Sequence, residues 1–174
     1  MPVCYYLVMS TSTPQRVFED LTRGLPRFND GRINFTGVRK APVLNVVVFY
    51  EGKILIVKRS RKVGSYKGLW NGISGFIDEP KTIDDFAKQE LAEELSLDTK
   101  LISKIKVCTP YEVNDLAIDR IWFVYPVLVT LNQKPNIVLD WEHTDYAWIE
   151  PVQLEDYKCV KDFDISVTKA LAKL

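Results

Sequence analysis

The chain has 174 residues, long enough for one domain with a proper core and too short for two. An apolar fraction of 47% and a mean hydropathy of -0.07 are those of an ordinary soluble globular protein. Twenty-three basic residues balance twenty-three acidic ones, which excludes a general binder of polymeric nucleic acid or of membrane surfaces, whose affinity rests on excess positive charge.

The N-terminal run MPVCYYLVMSTST has no basic flank, so no signal peptide is expected, and no apolar stretch approaches the ~20 residues of a membrane span. Val3 to Met9 reads as a strand. A short helix follows, with Thr13 as N-cap, Pro14 at the first helical position and Gly24 as its stop. The confident region begins at Val43. VLNVVVFY and KILIVKR are β-branched runs joined by Glu51-Gly52, a hairpin signal. GISGFI, ISKIKVCTPYEV, DRIWFVYPVLVTL and DYAWI are four more strand candidates, and DISVTKALAKL closes the chain as a helix. This alternation predicts an α/β (α+β) fold with a mixed sheet and helices on both faces. Cys4, Cys108 and Cys159 are widely spaced with no CxxC pair, which argues against disulfides or a thiolate zinc site and for a cytoplasmic protein. His143 is the only histidine, so a histidine-rich metal site is excluded.

Between the third and fourth strands, Thr82 and Asp85 make an N-capping arrangement for a helix from Ile83 to Leu95. Ile83, Phe86, Ala87, Leu91 and Leu95 form its apolar stripe; Glu90 and Glu94 fall within that stripe and Glu93 beside it. Like charges about 6 Å apart repel by ~3 kcal/mol per pair at an effective dielectric of 20. From spacing alone two readings stand: a wet edge where lysines pair with the acids, or a seat for a hard divalent cation, Mg²⁺ or Mn²⁺.

The stretch from Gly75 to Leu97 resembles the Nudix box, G-x5-E-x7-R-E-U-x-E-E-x-G-U, with Gly75, Glu90, Leu91, Glu93, Glu94 and Leu97 in matching places. LNVVVFYEGKILIVKRS resembles the family's opening hairpin, LWNGISGFI the strand into the box, and EHTDYAWI its late loop and strand. The resemblance implies a Nudix-like α/β/α sandwich over residues 41–174. It does not reach residues 1–40, an extension whose two open readings are a cap on the sheet or a strand added to a partner subunit in a homodimer. It implies a Mg²⁺-dependent (or Mn²⁺-dependent) hydrolase that splits a nucleoside diphosphate linked to another moiety. The metal ligands would be Glu90, Glu94, Glu93 and the Gly75 carbonyl, and Glu93 or Glu142 the catalytic base. The expected partner is a small phosphorylated molecule. Three positions depart from the box: Lys81 stands for its first glutamate, Gln89 for its arginine and Ser96 for its second glycine. The first two change together, as though a supporting pair had been replaced. They leave a second reading, a module of this fold that binds a phosphorylated ligand or protein and has lost hydrolysis. Isopentenyl-diphosphate isomerase chemistry is rejected, since it needs a cysteine before the box and several histidines.

KRSRKVGSYK, from Lys58 to Lys67, carries five cations and no acid, so Arg59 and Lys67 are the expected phosphate contacts. Trp70, Tyr111 and Trp122 are the aromatics that could stack on a substrate ring. His143 is read as structural, and Trp148 as core.

Overall fold

The computed structural model describes residues 18–19 and 22–174. The expected strand from Val3 to Met9 and the cap at Thr13 and Pro14 lie outside them. Gly24 adopts φ +76, the left-handed conformation that suits a helix stop.

Two long strands organise the sheet. β1 (Lys40–Tyr50) and β7 (Arg120–Leu131) pair in parallel through ten registered positions. The first half of β1 also pairs antiparallel with β4 (Ile73–Phe76), and its last residues pair with β2 (Lys53–Arg59). β2 is flanked by β3 (Trp70–Asn71) and β8 (His143–Ile149). On the far side, β7 pairs with β5 (Ile102–Val107) through its second half and with β6 (Tyr111–Asp115) through its first. The hairpin turn is the expected one. Glu51 and Gly52 both take positive φ, which matches the twist of the strands they join.

α1 (Ile83–Leu95) covers one face of the sheet and α2 (Phe163–Leu171) the other. Residues on β1 alternate between them: Leu44, Val46 and Val48 pack on the α1 side, and Val47 on the α2 side. Burial on both faces explains why the sequence of this strand is nearly all apolar. Phe18, Ile33 and Phe35, which precede β1, belong to the α1-side core.

Two strand expectations need correction. ISKIKVCTPYEV is not one strand: β5 and β6 lie along the same edge of β7 but stop on either side of residues 108–110. Cys108 N–H donates to the Pro126 carbonyl at 2.8 Å; beyond it neither Pro110 nor Pro126 has an N–H to offer, and the ladder breaks. GISGFI holds the expected strand, β4, but the longer stretch LWNGISGFI, likened to one strand, divides, with Gly72 between β3 and β4. A Cβ at Gly72 would come within 2.5 Å of the Val46 carbonyl oxygen, so the chain crosses β1 too closely for any other residue. The last strand starts at His143, two residues earlier than expected.

α1 begins as predicted, with the Thr82 hydroxyl accepting from Asp85 N–H at 3.1 Å. It ends on Ser96 at φ 51, a left-handed conformation that costs a non-glycine residue roughly 1–2 kcal/mol. Ser96→Gly is therefore expected to stabilise the protein by about 1 kcal/mol. That raises the melting temperature by ~2–4 °C, measurable by circular dichroism.

Candidate active site

A cleft of about 370 Å³ opens where β4, β1, β7 and β6 lie side by side; α1, the loops after β2, after β4 and before β8, Arg32 ahead of β1 and the residues leading into α2 also line it. Three of its acids come from α1. Glu90, Glu93 and Glu94 all line the cleft, at different depths. Glu94 is 4% exposed, Glu90 is half-buried, and Glu93 is exposed.

Glu90 sits directly against Gly75. The pleat of β4 turns Ile73 and Gly75 toward α1, and a Cβ at Gly75 would overlap the Glu90 carboxylate. Only glycine lets the helix bring that acid to the sheet. Burial pushes the Glu90 carboxyl up to about 7; burial also holds Glu94 well above the usual range, and a shared hydrogen bond links the two. One Glu94 oxygen, Oε2, is buried with no hydrogen-bond partner. His143 Nε2 stands 3.6 Å from it, and the opposite ring nitrogen is 3.4 Å from Asp140. Desolvation lowers the His143 pKa, so the ring is neutral here at pH 7.

Helix and loop are tied together by main-chain bonds. Asp140 N–H donates to the Glu94 carbonyl and Val138 N–H to that of Leu95, both at 3.0 Å. These bonds satisfy carbonyls at the C-terminus of α1 that would otherwise be orphaned. Glu142 follows: its N–H donates to Asp140 Oδ1 and its carbonyl accepts from Ser60 N–H at 2.6 Å. Burial, then the neighbouring Asp140, raises the Glu142 carboxyl. Arg59, at the end of β2, is half-buried near Glu142 and Glu94; its Nε–H donates to the Ser65 carbonyl at 3.2 Å.

The two altered box positions meet each other. Lys81 Nζ donates to Gln89 Oε1 at 2.9 Å and to Glu79 Oε1 at 3.0 Å, and Gln89 Nε2 donates to Glu93 Oε1 at 3.1 Å. Lys81 is thereby held on the helix flank by two acceptors.

The residues expected to bind substrate divide. Arg59, Tyr111 and Trp122 line the cleft together with Glu142. Lys67 and Trp70 do not. Lys67 is an exposed loop residue. Successive residues of a strand face opposite ways, and with Asn71 in the cleft Trp70 is turned against Tyr157, its ring edge-on at 5.1 Å. Sequence reasoning missed the polar floor. Asn45 Nδ2 donates to Asn71 Oδ1 at 2.9 Å and Asn71 Nδ2 to Ser74 Oγ at 3.1 Å, leaving Asn45 Oδ1 buried without a partner. A lone asparagine inside VLNVVVFY was the available signal. It also missed Phe76, an aromatic of the cleft wall, and the buried contact of His143 with Glu94.

A hard divalent ion fits this donor set. Among the described residues no three acidic, histidine or cysteine side chains converge on one point. A close pair of carboxylates with one orphaned oxygen is nevertheless what Mg²⁺ asks for, since it keeps several waters and takes one or two protein carboxylates plus substrate phosphates.

A family model for the NUDIX domain matches residues 39–171, and the chain belongs to that family. Nucleoside triphosphatase NudI of Escherichia fergusonii is 23% identical over 144 residues, spanning 78% of this chain and 96% of that protein. Among solved structures, a NUDIX hydrolase from Nitrosomonas europaea superposes with a TM-score of 0.63 at 12% identity, over 77% of this chain and 90% of that one. A bifunctional NMN adenylyltransferase/ADP ribose pyrophosphatase from Francisella tularensis, complexed with AMP and a manganese ion, superposes with a TM-score of 0.61 at 17% identity; it covers 97% of this chain and 46% of that one. These likenesses establish the fold, a mixed sheet with helices on both sides. Among the described residues no helix is long and apolar enough to cross a membrane.

The raised Glu90 carboxyl has a consequence for the metal-free protein. Between its ordinary value of 4.5 and about 7, the folded state keeps a proton that the unfolded chain has released. That contribution to stability is full below this window and is lost as pH rises through it. In chelator, the melting temperature should fall between about pH 5 and pH 7.5, and Glu90→Gln should flatten the fall.

Proposed function

We propose that this chain is a metal-dependent hydrolase of the diphosphate bond in a nucleoside diphosphate linked to another moiety, working in the cytoplasm on a small phosphorylated substrate. The observation that carries this reading is the Glu90–Glu94 pair lining a cleft, Glu90 against Gly75 and Glu94 with one carboxylate oxygen left without a partner. Membership of the family, and relatives named nucleoside triphosphatase and ADP ribose pyrophosphatase, support a nucleotide substrate.

Glu90 and Glu94 would hold Mg²⁺ or Mn²⁺, helped by Glu93 and the Gly75 carbonyl. The ion, when bound, neutralises phosphoryl charge and orients the oxygens around the scissile bond. Arg59, which lines the same cleft, then meets a phosphate; burial lowers its pKa and the neighbouring Glu142 and Glu94 offset this, so the guanidinium stays charged for the contact. Water attacks phosphorus, its proton passes to a carboxylate, and the bridging P–O bond breaks with its electron pair leaving on the departing phosphate. Glu142 is the better proton acceptor of the two candidates. It lines the cleft half-buried, with burial raising its carboxyl, whereas Glu93 is engaged by Gln89. Neutral His143 braces Glu94 from behind. Lys81 and Gln89 retain a supporting role with the charges altered: they bond each other, and Gln89 orients Glu93.

Product release from a panel of nucleoside diphosphate derivatives tests this. With Mg²⁺ or Mn²⁺ present, Glu94→Gln should lower kcat/KM by about a hundredfold or more. Glu142→Gln should cut kcat by ~10²–10⁴ while KM changes little. Absence of metal-dependent release across the panel, with ligand affinity unchanged in Glu94→Gln, would leave a binding module instead. Independently of turnover, added Mg²⁺ at a hundredfold excess over its dissociation constant should stabilise the fold by ~2.7 kcal/mol. Glu90→Gln should remove that gain.

A further inference from the structure

The family model begins at residue 39, yet the segment before it helps to build the cleft. Residues 25–38 fold back on themselves, with Asn34 N–H donating to the Pro26 carbonyl at 2.8 Å. Ile33 N–H donates to the Asp78 carbonyl at 2.9 Å, just beyond β4. From β7, the Arg120 guanidinium donates to the carbonyls of Phe35 and Val38. Arg32 lies at the cleft and pairs with Asp30 at 2.8 Å and Asp78 at 3.7 Å. Phe35, 5% exposed, is stacked on Phe76 with ring centroids 5.2 Å apart and planes 19° from parallel.

Phe76 is the unusual member of this group. It lines the cleft, remains 42% exposed, and is backed by Phe35. Trp122 stands beside it at 6.1 Å, tilted by 50°, and is locked in place because its indole N–H donates to the Tyr66 hydroxyl at 2.8 Å. A large aromatic ring, fixed from behind and left bare toward a cavity, is a platform for another flat ring. The pleat of β4 sets it one residue beyond Gly75, so the platform adjoins the carboxylates without sharing their face of the strand.

Building on the reading that the cleft takes a nucleotide, we propose that Phe76, propped by Phe35 from the segment ahead of the family domain, stacks the planar base of the substrate. Base recognition then depends on residues 25–38, and Trp70 takes no part in it. Phe76 selects for a flat ring and is indifferent to the edge it presents, because stacking reads a face rather than hydrogen-bonding groups.

The test is calorimetric titration of the full chain in chelator with AMP and with ribose 5-phosphate, which keeps the sugar and phosphate but has no base. Wild type should bind AMP at least about tenfold more tightly than ribose 5-phosphate. Phe76→Ala should weaken AMP at least ~fivefold and leave ribose 5-phosphate unchanged, while Phe76→Trp retains AMP affinity. Phe35→Leu, with its fold checked by circular dichroism, should weaken AMP by a smaller factor. Undetectable AMP binding, an unchanged AMP affinity in Phe76→Ala, or equal weakening of both ligands would overturn the assignment. Because binding is read without metal or turnover, a chain that hydrolyses nothing still answers. Metal-dependent release that survives alongside unchanged AMP affinity in Phe76→Ala would remove the stacking role and leave the hydrolase reading standing.

Discussion

Two carboxylates held side by side against the edge of a sheet govern this site. Glu94 is almost wholly buried and Glu90 lies against the backbone of Gly75, so both have shed much of the water that would stabilise their charge. The metal-free protein answers by keeping a proton on the pair. A divalent cation would answer better, because it satisfies both charges at once and occupies the orphaned oxygen. The rest of the site follows from this constraint. Burial lowers the pKa of His143 where it sits beside Glu94 in the interior, and the loop that carries Glu142 is fastened to the last carbonyls of the same helix.

The support around that pair has been rebuilt without being abandoned. Lys81 and Gln89 still form a hydrogen bond across the flank of α1, and its other end orients Glu93. A lysine ammonium donating to an amide oxygen is a weaker link than an ion pair, but it is directional and lies at the surface, where an ion pair contributes little. Glu79 completes the arrangement by sharing the ammonium.

What could be read from the sequence was what depends on one element at a time. The helix, its cap and the inward glutamates follow from spacing within thirteen consecutive residues, and Glu51-Gly52 defines its own turn. What could not be read depends on register between distant strands. Asn45, Asn71 and Ser74 come from three strands and meet only because Asn45 pairs with Ser74 across β1 and β4. The break at residues 108–110 needs two prolines to face the same gap, and only Pro110 lies within the run itself. Trp70 as a stacking aromatic and Lys67 as part of an acid-free basic run suggest substrate contacts that the fold does not make. The pleat sends Trp70 the other way, and the turn leaves Lys67 in solvent. Phe76 carried no signal at all, since its role rests on Phe35, far upstream.

The parallel pairing of β1 with β7 also has a bearing on how the protein reaches this state. These strands form the widest contact in the sheet, yet their paired residues lie 81 positions apart along the chain (Lys40 opposite Ile121). Closing so large a loop must come before the main ladder can stabilise anything, which slows acquisition of the native structure. During synthesis, β1 emerges early with both faces apolar and waits for its neighbour, so this strand is the segment most exposed to misassociation and the natural client for a chaperone.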